Sequence, residues 1–312
     1  MPSELELVRR IQRLAAVPRK TRSTGLALGI GDDCAIFRPR GSPEELLFTT
    51  DLLIEDVHFR RSTHSASQIG YKALARGLSD LAAMGAEPRF CLVSLALPES
   101  VDAKWISGFY RGLLALAREA GAPLAGGDLA RGGRIICDIV ACDIIACGAA
   151  PLGKSLRRDG ARPGNAIYVS GMLGGSALGL ELGKGKAWKR HVRPRARLAL
   201  GIFLREQLRA TAAMDLSDGL SLDLHRMCLA SGVSASIDAP PIFPGASLHH
   251  ALHGGEDYEL LFTASKNKRV PSAFDGLPLT RIGTIQNGRP GLVLFSGEPL
   301  PALGFDHFQN TR

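Results

Sequence analysis

Six short acidic segments, spread from residue 29 to residue 260, constrain this chain more than any other feature. Each places an aspartate or glutamate beside glycine, serine or threonine, where the backbone can turn tightly and approach a ligand closely. They read GIGDDC (29–34), TTD (49–51), LSDLAAMGA (78–86), GGDLARGG (126–133), MDLSDGL (214–220) and GGEDYEL (254–260). One such segment alone is typical of a turn with a solvated acid. Six together predict that distant loops converge on one site.

Converging acids need a cation between them, because carboxylates that share a site repel one another. Hard oxygen ligands of this kind suit Mg²⁺, which usually binds through carboxylates together with substrate phosphates. The first hypothesis from the residues is therefore a magnesium–nucleotide site assembled from distant loops.

The composition indicates a globular protein of two domains. The chain has 312 residues, 45% of them hydrophobic and 22% charged, and single cores stop growing near ~250–300 residues. Its net charge of +8 is concentrated in the stretch 184–209. That stretch is either a solvated face or a contact for phosphates or a polyanion. No zinc-finger spacing or aromatic RNA-binding motif accompanies it.

The cysteines and the hydropathy of the chain predict its cellular location. The six cysteines lie within apolar runs rather than at C-x-x-C spacing, so neither zinc nor a disulfide framework is indicated. The chain starts without the basic and apolar regions of a signal peptide. It has no run of ~18 apolar residues that would cross a membrane. We therefore expect a reduced, soluble, cytoplasmic protein.

The hydrophobic pattern predicts an α/β mixture in both halves. In the first half it predicts a helix from a Ser3–Glu6 capping box to near Pro18, a strand and turn over 26–37, helices over 66–85 and 102–121, and strands over 46–50, 90–97 and 134–148. In the second half it predicts strands over 166–170, 234–238 and 258–264, helices near 175–183, 195–209 and 219–230, and a hairpin of 279–285 with 291–295 around Asn287–Gly288. A shift towards Gly, Pro and Arg over 149–163 predicts an N-terminal domain of 1–148 and a C-terminal domain of 149–312.

The segment from Gly148 to Ser155 satisfies the phosphate-loop pattern G-x-x-x-x-G-K-[ST]. The pattern works only where the loop opens a helix whose N-terminal amides face the phosphates. Here Gly160 and Pro163 follow too soon to allow more than about one helical turn. We interpret the match as a coincidence.

Taken together, the acidic segments resemble the thiamine-monophosphate kinase family, part of the ATP-binding superfamily that includes aminoimidazole ribonucleotide synthetase. The resemblance is carried by GIGDDCAIF, TTDLLIEDVHF, LSDLAAMGAEP, GGD followed by Arg131, RRDGARPGNAIYVSG, MDLSDGLSLDL, GGEDYELLFT and the Gly-Phe-Asp-His-Phe at 304–308. It implies an α/β (α+β) two-domain synthetase-like fold, with a mixed-sheet, barrel-forming N-terminal domain that dimerises and a C-terminal α/β domain. It also implies direct in-line transfer of the ATP γ-phosphate to thiamine monophosphate in a homodimer, without a phosphoenzyme.

The same resemblance implies roles for individual residues. The implied magnesium ligands are Asp32, Thr49, Thr50, Asp51, Asp80, Asp128, Asp215 and Asp218. Of these, Asp51, Asp128 and Asp218 are expected to be catalytic. The implied nucleotide contacts are Tyr110, Gly127, Asp128, Arg158 and Ser217. The implied contacts to thiamine monophosphate are His58, Glu256 and Phe305, where an aromatic ring can stack on the cationic thiazolium.

Simpler interpretations of some of these residues stay open. Asp218 and Asp257 could be helix or turn caps, His58 could be a surface residue, and Phe305 could be a packed tail residue. The chain also departs from the family at Leu129-Ala130, where two threonines are common, and at Asn165, where aspartate is usual. Neither departure removes an implied ligand.

Two other classes of function compete with this hypothesis. One is another superfamily enzyme, such as a ribonucleotide cyclase or a selenophosphate synthetase. The latter would need a reactive cysteine or selenocysteine in an N-terminal glycine-rich loop, and none precedes Cys34. The other class is a non-catalytic nucleotide sensor or nucleic-acid binder built on an inactive kinase. The retained acidic residues argue against it, because a like-charge cluster is costly without a function.

Overall fold

The computed structural model of the protein describes residues 2–15, 25–138 and 146–307. The first half carries an eight-stranded sheet in the order β1-β2-β3-β8-β5-β7-β4, with β6 paired to β5 outside this order. Its strands are β1 Leu26–Leu28, β2 Ala35–Phe37, β3 Glu44–Thr49, β4 Leu53–Ile54, β5 Glu87–Leu97, β6 Leu124–Arg131, β7 Ile136–Asp138 and β8 Ala146–Pro151. The sheet is mixed, as predicted, because β5 and β6 run parallel while the other pairs are antiparallel.

Within the described residues, three helices accompany this sheet: α1 Glu4–Leu14, α2 Ala66–Ala83 and α3 Ala103–Glu119. The capping box predicted for α1 is confirmed. The backbone N–H of Ser3 donates to Glu6 Oε2 at 2.8 Å, and that of Glu6 donates to Ser3 Oγ at 3.3 Å. Two of the four unpaired amides at the start of the helix are satisfied in this way.

The second half carries a second eight-stranded sheet in the order β10-β12-β9-β14-β11-β15-β16, with β13 paired to β14. Its strands are β9 Ala166–Ser170, β10 Ala212–Asp215, β11 Ser234–Ile237, β12 Leu260–Ala264, β13 Ala273–Phe274, β14 Leu277–Gln286, β15 Val293–Phe295 and β16 Glu298–Pro299. Its helices are α4 Gly175–Leu182, α5 Gly185–Val192, α6 Leu198–Phe203, α7 Leu220–Ser231 and α8 Leu248–His253. A 3₁₀ turn at Arg158–Gly160 precedes the sheet, and a π-helical turn at Leu204–Leu208 follows α6.

Helix α2 is buried along most of its length and packs against both halves. It contacts α3 closely, since a Cβ added at Gly70 would lie 2.0 Å from the carbonyl oxygen of Phe109. It contacts α6 of the second half equally closely, since a Cβ at Gly201 would lie 2.0 Å from the carbonyl oxygen of Ala82. Because glycine is the only residue that permits such approaches, these contacts fix α2 between the two halves.

Most of the predicted helices and strands are confirmed within a few residues. The strand predicted over 134–148 is confirmed at β7 and β8, while residues 139–145 lie outside the described part of the chain. Other segments differ from the prediction. The helix predicted over 195–209 is α6 followed by the π-helical turn. The short helices α5 and α8 form where the sequence predicted no helix.

The predicted hairpin of 279–285 with 291–295 is wrong. Strand β11 lies between β14 and β15, antiparallel to the first and parallel to the second. A type I′ turn needs positive φ at both central residues, and neither Asn287 nor Gly288 has it. Gly288 instead permits a close approach, because a Cβ there would lie 2.5 Å from Ser234 Oγ.

The connection between the two sheets lies later than the predicted domain division. That division falls within β8, whose residues up to Pro151 pair in the first sheet, while the second sheet begins at Ala166. We propose that residues 152–165 separate the two domains. In the described part of the chain, no helix has both the length and the apolar character needed to cross a bilayer.

Candidate active site

A cavity of about 420 Å³ lies between the two halves and takes its walls from both. Nine of the predicted site residues line it: Thr50, Asp51, His58, Asp80, Asp215, Ser217, Asp218, Glu256 and Phe305. An adjoining cavity of about 860 Å³ shares Glu4 and Thr50 with it and is also lined by Asp32, Thr49 and Arg158. The structure therefore brings together every predicted site residue except Tyr110, Gly127 and Asp128.

Three carboxylates form the acidic centre of the site. One oxygen atom from each of Asp33, Asp80 and Asp215 lies within 4.8 Å of the others. Burial, and then the charges of Asp215 and Asp51, raise the pKa of Asp80 well above its usual range. Burial, and then Asp33, do the same to the pKa of Asp215. A hard divalent cation would relieve this repulsion, so the donor set fits Mg²⁺.

Asp33 is a residue that the sequence interpretation missed. It chose the neighbouring Asp32, whose carboxylate instead accepts from the backbone N–H of Arg158 at 3.2 Å and lies 3.3 Å from its Nε. The Arg158 guanidinium also pairs with Asp33. The signal was available in the doubled aspartate of GIGDDC, but both side chains are buried, and the sequence alone does not say which of the two lies beside Asp80 and Asp215.

Helix α2 presents three charged residues to the site at a spacing of four: Lys72, Arg76 and Asp80. Residues four apart lie on one face of a helix, so all three point to the same side. Each has its own partner: Lys72 Nζ lies 2.8 Å from Glu256 Oε1, Arg76 Nε donates to Asp51 Oδ2 at 2.8 Å, and Asp80 accepts from the Thr49 hydroxyl. We call Lys72, Arg76 and Asp80 the α2 stripe. Only Asp80 of the stripe was predicted, although charged residues at buried helical positions were a usable signal.

The remaining aspartates are also held by specific partners. Asp215 accepts from Ser79 Oγ at 2.6 Å, and Asp218 pairs with Arg226. The interpretation of Asp218 as a helix cap is wrong. The carboxylate that accepts from the amides at the start of α7 belongs to Asp223, at 3.0 and 3.1 Å. Asp218 is thus left directed at the cavity.

The interpretation of Asp257 as a cap is confirmed. Its carboxylate accepts from the backbone N–H groups of Gly174 and Ser176, at 2.5 and 3.0 Å, at the start of α4. Burial raises the pKa of Asp257 to about 6. It therefore supports the wall of the cavity without lining it.

His58 is half-buried and lines the cavity together with Glu256, so its interpretation as a surface residue is wrong. Its Nδ1 accepts from the backbone N–H of Ile54 at 3.0 Å. Burial, followed by the charge of Arg76, lowers the pKa of His58 to about 2. The neutral ring therefore carries its proton on Nε2. That nitrogen has no hydrogen-bond partner among the described residues.

Glu256 lines the same cavity and is ionised. Burial alone would raise the pKa of its carboxyl, but Lys72, His191 and Arg76 together lower it to about 2. Its φ of 64° is in the left-handed region that favours glycine. A strained backbone with a paired, ionised carboxylate beside a cavity is typical of a binding residue.

Phe305 lines the cavity from the C-terminal tail. Its backbone N–H donates to the carbonyl oxygen of Asp218 at 3.0 Å. The neighbouring Asp306 accepts from the N–H of Glu4 at 3.1 Å, at the start of α1. The tail is therefore anchored on both sides of the aromatic ring.

Three predicted residues lie elsewhere. Tyr110 packs beside the core of the first half, and Gly127 and Asp128 lie on the exposed strand β6. Packing explains why residue 127 is a glycine, since a Cβ there would lie 1.9 Å from the carbonyl oxygen of Val93 on β5. Leu129, one of the departures from the family pattern, is 65% exposed on the same strand.

Asn165, the other departure, lies outside both cavities. Its Oδ1 accepts from the N–H of Arg162 at 3.0 Å and from the hydroxyl of Thr211 at 2.7 Å. An aspartate could accept both bonds equally well. The change is therefore neutral for the geometry of the site.

The phosphate-loop match is confirmed as a coincidence. No helix follows Ser155 before the 3₁₀ turn at Arg158–Gly160. The backbone amides of Gly153 and Ser155 donate to the carboxylate of Glu45, at 3.0 and 3.1 Å. An internal anion therefore occupies the place that a phosphate would take.

Comparison with known proteins first gives the class of protein to which the chain belongs. The family model "AIR synthase related protein, N-terminal domain" matches residues 31–142, and the C-terminal domain model matches residues 162–294. The hydrogenase maturation protein HypE, at 20% identity and a TM-score of 0.70 over 88% of this chain and 92% of its own, shares the fold. The chain belongs to the AIR synthase related proteins.

Relatives with higher sequence identity identify the particular family within this class. Thiamine-monophosphate kinase of Escherichia coli (strain K12) is 38% identical over 311 residues, covering 90% of this chain and 92% of that protein. The Bacillus subtilis (strain 168) enzyme is 32% identical over 321 residues, covering 94% and 97%. A solved structure described as AaThiL complexed with AMPPCP and TMP matches with a TM-score of 0.84 at 31% identity, covering 98% of this chain and 97% of that one. The chain is a member of the thiamine-monophosphate kinase family.

Proposed function

We propose that this protein transfers the γ-phosphate of ATP to thiamine monophosphate, which yields thiamine diphosphate and ADP. One observation carries the proposal: a single cavity joins Asp80 and Asp215 to His58, Glu256 and Phe305. Carboxylates suited to a metal and its phosphates thus lie in the same space as groups suited to an organic cation. The family supports the same reaction, since a solved relative is described as complexed with AMPPCP and TMP.

The metal site fits Mg²⁺ by the chemistry of its donors. We propose that Asp33 joins the ligands expected from the family resemblance. Those ligands are Asp32, Thr49, Thr50, Asp51, Asp80, Asp128, Asp215 and Asp218. When bound, Mg²⁺ supplies charge neutralisation for the transferred phosphoryl group.

The protein's own groups then position the two substrates. The acceptor is already a phosphate oxygen, so the in-line transfer needs no strong general base. His58 fits this requirement, because its half-buried ring is neutral and a poor base, with a pKa lowered to about 2. Glu256 and the ring of Phe305 suit the cationic thiazolium, which an aromatic face attracts.

Arg158 and Ser217 are our candidates for nucleotide contacts within the chain. Tyr110, Gly127 and Asp128 lie outside both cavities of the same chain, and Gly127 and Asp128 are on β6. Among the described residues, strand β6 is paired along one edge only, with β5, and its other edge is free. The exposed residues of β6 include Leu129. Unpaired edges of this kind recruit a second chain. We therefore propose a homodimer in which the β6 edges take part.

The test is an assay of the purified protein with ATP, thiamine monophosphate and Mg²⁺. We expect thiamine diphosphate to form, and to stop forming after exhaustive EDTA treatment. A protein that makes no thiamine diphosphate but binds DNA in a salt-dependent way would support the competing nucleic-acid class instead. We also propose a cytoplasmic location, in keeping with the five described cysteines, all free and buried.

A further inference from the structure

Lys72 is an unusual residue for its position. Its side chain is only 1% exposed, in the middle of α2, and its neighbours Tyr71, Ala73 and Leu74 are buried with it. Burying an ammonium group is unfavourable unless the charge is paired and hydrogen-bonded. The partners of Lys72 therefore indicate why a lysine is present there.

Two partners of Lys72 belong to the end of the cavity that we assign to thiamine monophosphate, and a third, His191 Nε2, lies 3.5 Å from Nζ. Lys72 Nζ lies 2.8 Å from Glu256 Oε1 and donates to Oε2 at 2.9 Å. The same nitrogen donates to the backbone carbonyl oxygen of His58 at 3.4 Å. One buried cation thus bridges a residue of the first half and a residue of the second.

Glu256 is in a conformation that needs such support. Its φ is 64°, and non-glycine residues persist in this region only where the surroundings fix them. Its backbone N–H donates to the carbonyl oxygen of Ser217 at 2.6 Å, and His191 Nδ1 lies 3.4 Å from its Oε2. The backbone is held by the second half, whereas the carboxylate is turned towards α2.

We propose that Lys72 is a positioning residue for thiamine monophosphate: its buried ammonium fixes the Glu256 carboxylate and the His58 backbone in the orientation that binds the organic part of the substrate. The inference rests on the proposed function. Lys72 itself contacts neither cavity, so it acts through Glu256 and His58. The competing interpretation is an ion pair that only stabilises the fold.

The chain offers a matched control for that interpretation. Glu259 is fully buried and accepts from Arg197 Nε at 2.8 Å and from Arg190 at 2.8 Å. None of these residues lines either cavity. Arg197→Met therefore removes a cation from a buried ion pair of the same kind without touching the site.

The experiment compares wild type with Lys72→Met, Glu256→Gln, the double variant Lys72→Met/Glu256→Gln and Arg197→Met, using KM for each substrate and Tm. We expect Lys72→Met to raise KM for thiamine monophosphate about tenfold or more, as for loss of a charged hydrogen bond, with KM for ATP within about twofold. Because Glu256 is the closer partner of Lys72, at 2.8 Å against 3.4 Å for the His58 carbonyl oxygen, the two substitutions should be less than additive, and most of the effect of Lys72→Met should be absent once residue 256 is Gln. Its Tm should exceed that of Lys72→Met, since no unpaired charge stays buried.

Arg197→Met should lower Tm and leave both KM values near wild type. An unchanged KM for thiamine monophosphate in Lys72→Met would overturn the proposal while leaving the proposed function intact. Additive effects in the double variant would also overturn it. If Lys72→Met does not fold, the comparison of the double variant with Glu256→Gln decides. A wild-type protein that makes no thiamine diphosphate would overturn the proposed function and this inference with it.

Discussion

At the scale of single residues, the site consists of aspartates that are each held by a partner. Asp51 is held by Arg76, Asp218 by Arg226, and Asp215 by the hydroxyl of Ser79. A carboxylate has about four lone-pair positions, so each keeps positions for a metal while its orientation is fixed. Substitution of one aspartate therefore removes a proposed metal ligand and also releases its partner.

Asp51→Asn should abolish turnover while the protein stays folded, and Asp128→Asn should do the same through the proposed dimer, since Asp128 lies outside both cavities of its own chain. The amide keeps the volume but removes a unit of charge, and one charge pair at ~4 Å and an effective dielectric of ~20 is worth roughly 4 kcal/mol. If that energy is felt only in the transition state, the rate falls ~10³-fold. Steady-state rates at saturating Mg²⁺ test this, with Asp159→Asn as the control because Asp159 pairs with Arg157 on the surface. Near-normal rates in both variants would refute the assignment.

Phe305→Ala should raise KM for thiamine monophosphate more than KM for ATP. A ring over the thiazolium contributes ~0.5–2 kcal/mol of cation–π attraction, which corresponds to binding weakened by a few-fold to roughly thirtyfold. Packing of a tail residue alone predicts the opposite pattern, a lower Tm with unchanged kinetics. Both Michaelis constants and Tm, measured on one variant, decide between them. Equal shifts in the two KM values would leave Phe305 without a substrate role.

At the scale of helices and strands, the sequence correctly predicted the features that depend on contacts between residues close together in the chain. The Ser3–Glu6 capping box and the apolar period of α2 and α3 are decided within a few residues, and both are confirmed. The Asn287–Gly288 turn failed because strand β11 inserts between its two arms, and no local pattern reports a pairing that distant. The α2 stripe was largely missed for the same reason: the partners of Lys72 and Arg76 are far away in sequence.

Lys154→Ala should leave turnover within a few-fold of wild type. The amides around Lys154 face Glu45 rather than a phosphate, and no helix follows to orient them. A true phosphate-loop lysine contacts the β- and γ-phosphates directly. The measurement is kcat and KM for ATP. A fall of ~10³-fold or more, as for the loss of a phosphate clamp, would restore the phosphate-loop interpretation.

At the scale of the whole molecule, the site exists only where the two halves meet. Asp33 and Asp80 come from the first half and Asp215 from the second, so the acidic centre forms only when both halves are folded and packed together. The repulsion within this centre opposes that packing, and a cation relieves it. Metal binding and the packing of the halves should therefore be coupled.

The Mg²⁺-dependent rise in Tm should be larger at pH 8 than at pH 5. Burial, and then Asp33, raise the pKa of Asp32 to about 7, and the pKa values of Asp80 and Asp215 are also raised. Folded pKa values above the unfolded ones mean that the metal-free folded state binds more protons. The contribution of these carboxylates to stability is therefore fully present below about pH 4, and that of Asp32 is lost as the pH rises through 7. Mg²⁺ needs the deprotonated carboxylates, so it restores most stability at high pH.

Thermal melts with Mg²⁺ or EDTA at the two pH values test this coupling. The difference between the two melts at one pH cancels groups that the metal does not affect, such as the half-buried His58. A Mg²⁺ effect of equal size at both pH values would contradict the role of these carboxylates. CaCl₂ and NaCl at matched ionic strength separate a site-bound ion from general screening.

The α2 stripe also sets a length. Lys72 and Asp80 are eight residues apart on one helix, and at about 1.5 Å of rise per residue they are separated by about 12 Å along its axis. Lys72 serves the end of the cavity with Glu256, while Asp80 serves the acidic end. Because a helix changes its pitch far less readily than a loop changes its shape, α2 holds the distance between the two ends of the cavity constant. Acceptors whose phosphate lies much nearer to, or farther from, the ring system than this helix allows should be rejected by their dimensions, whatever their charge.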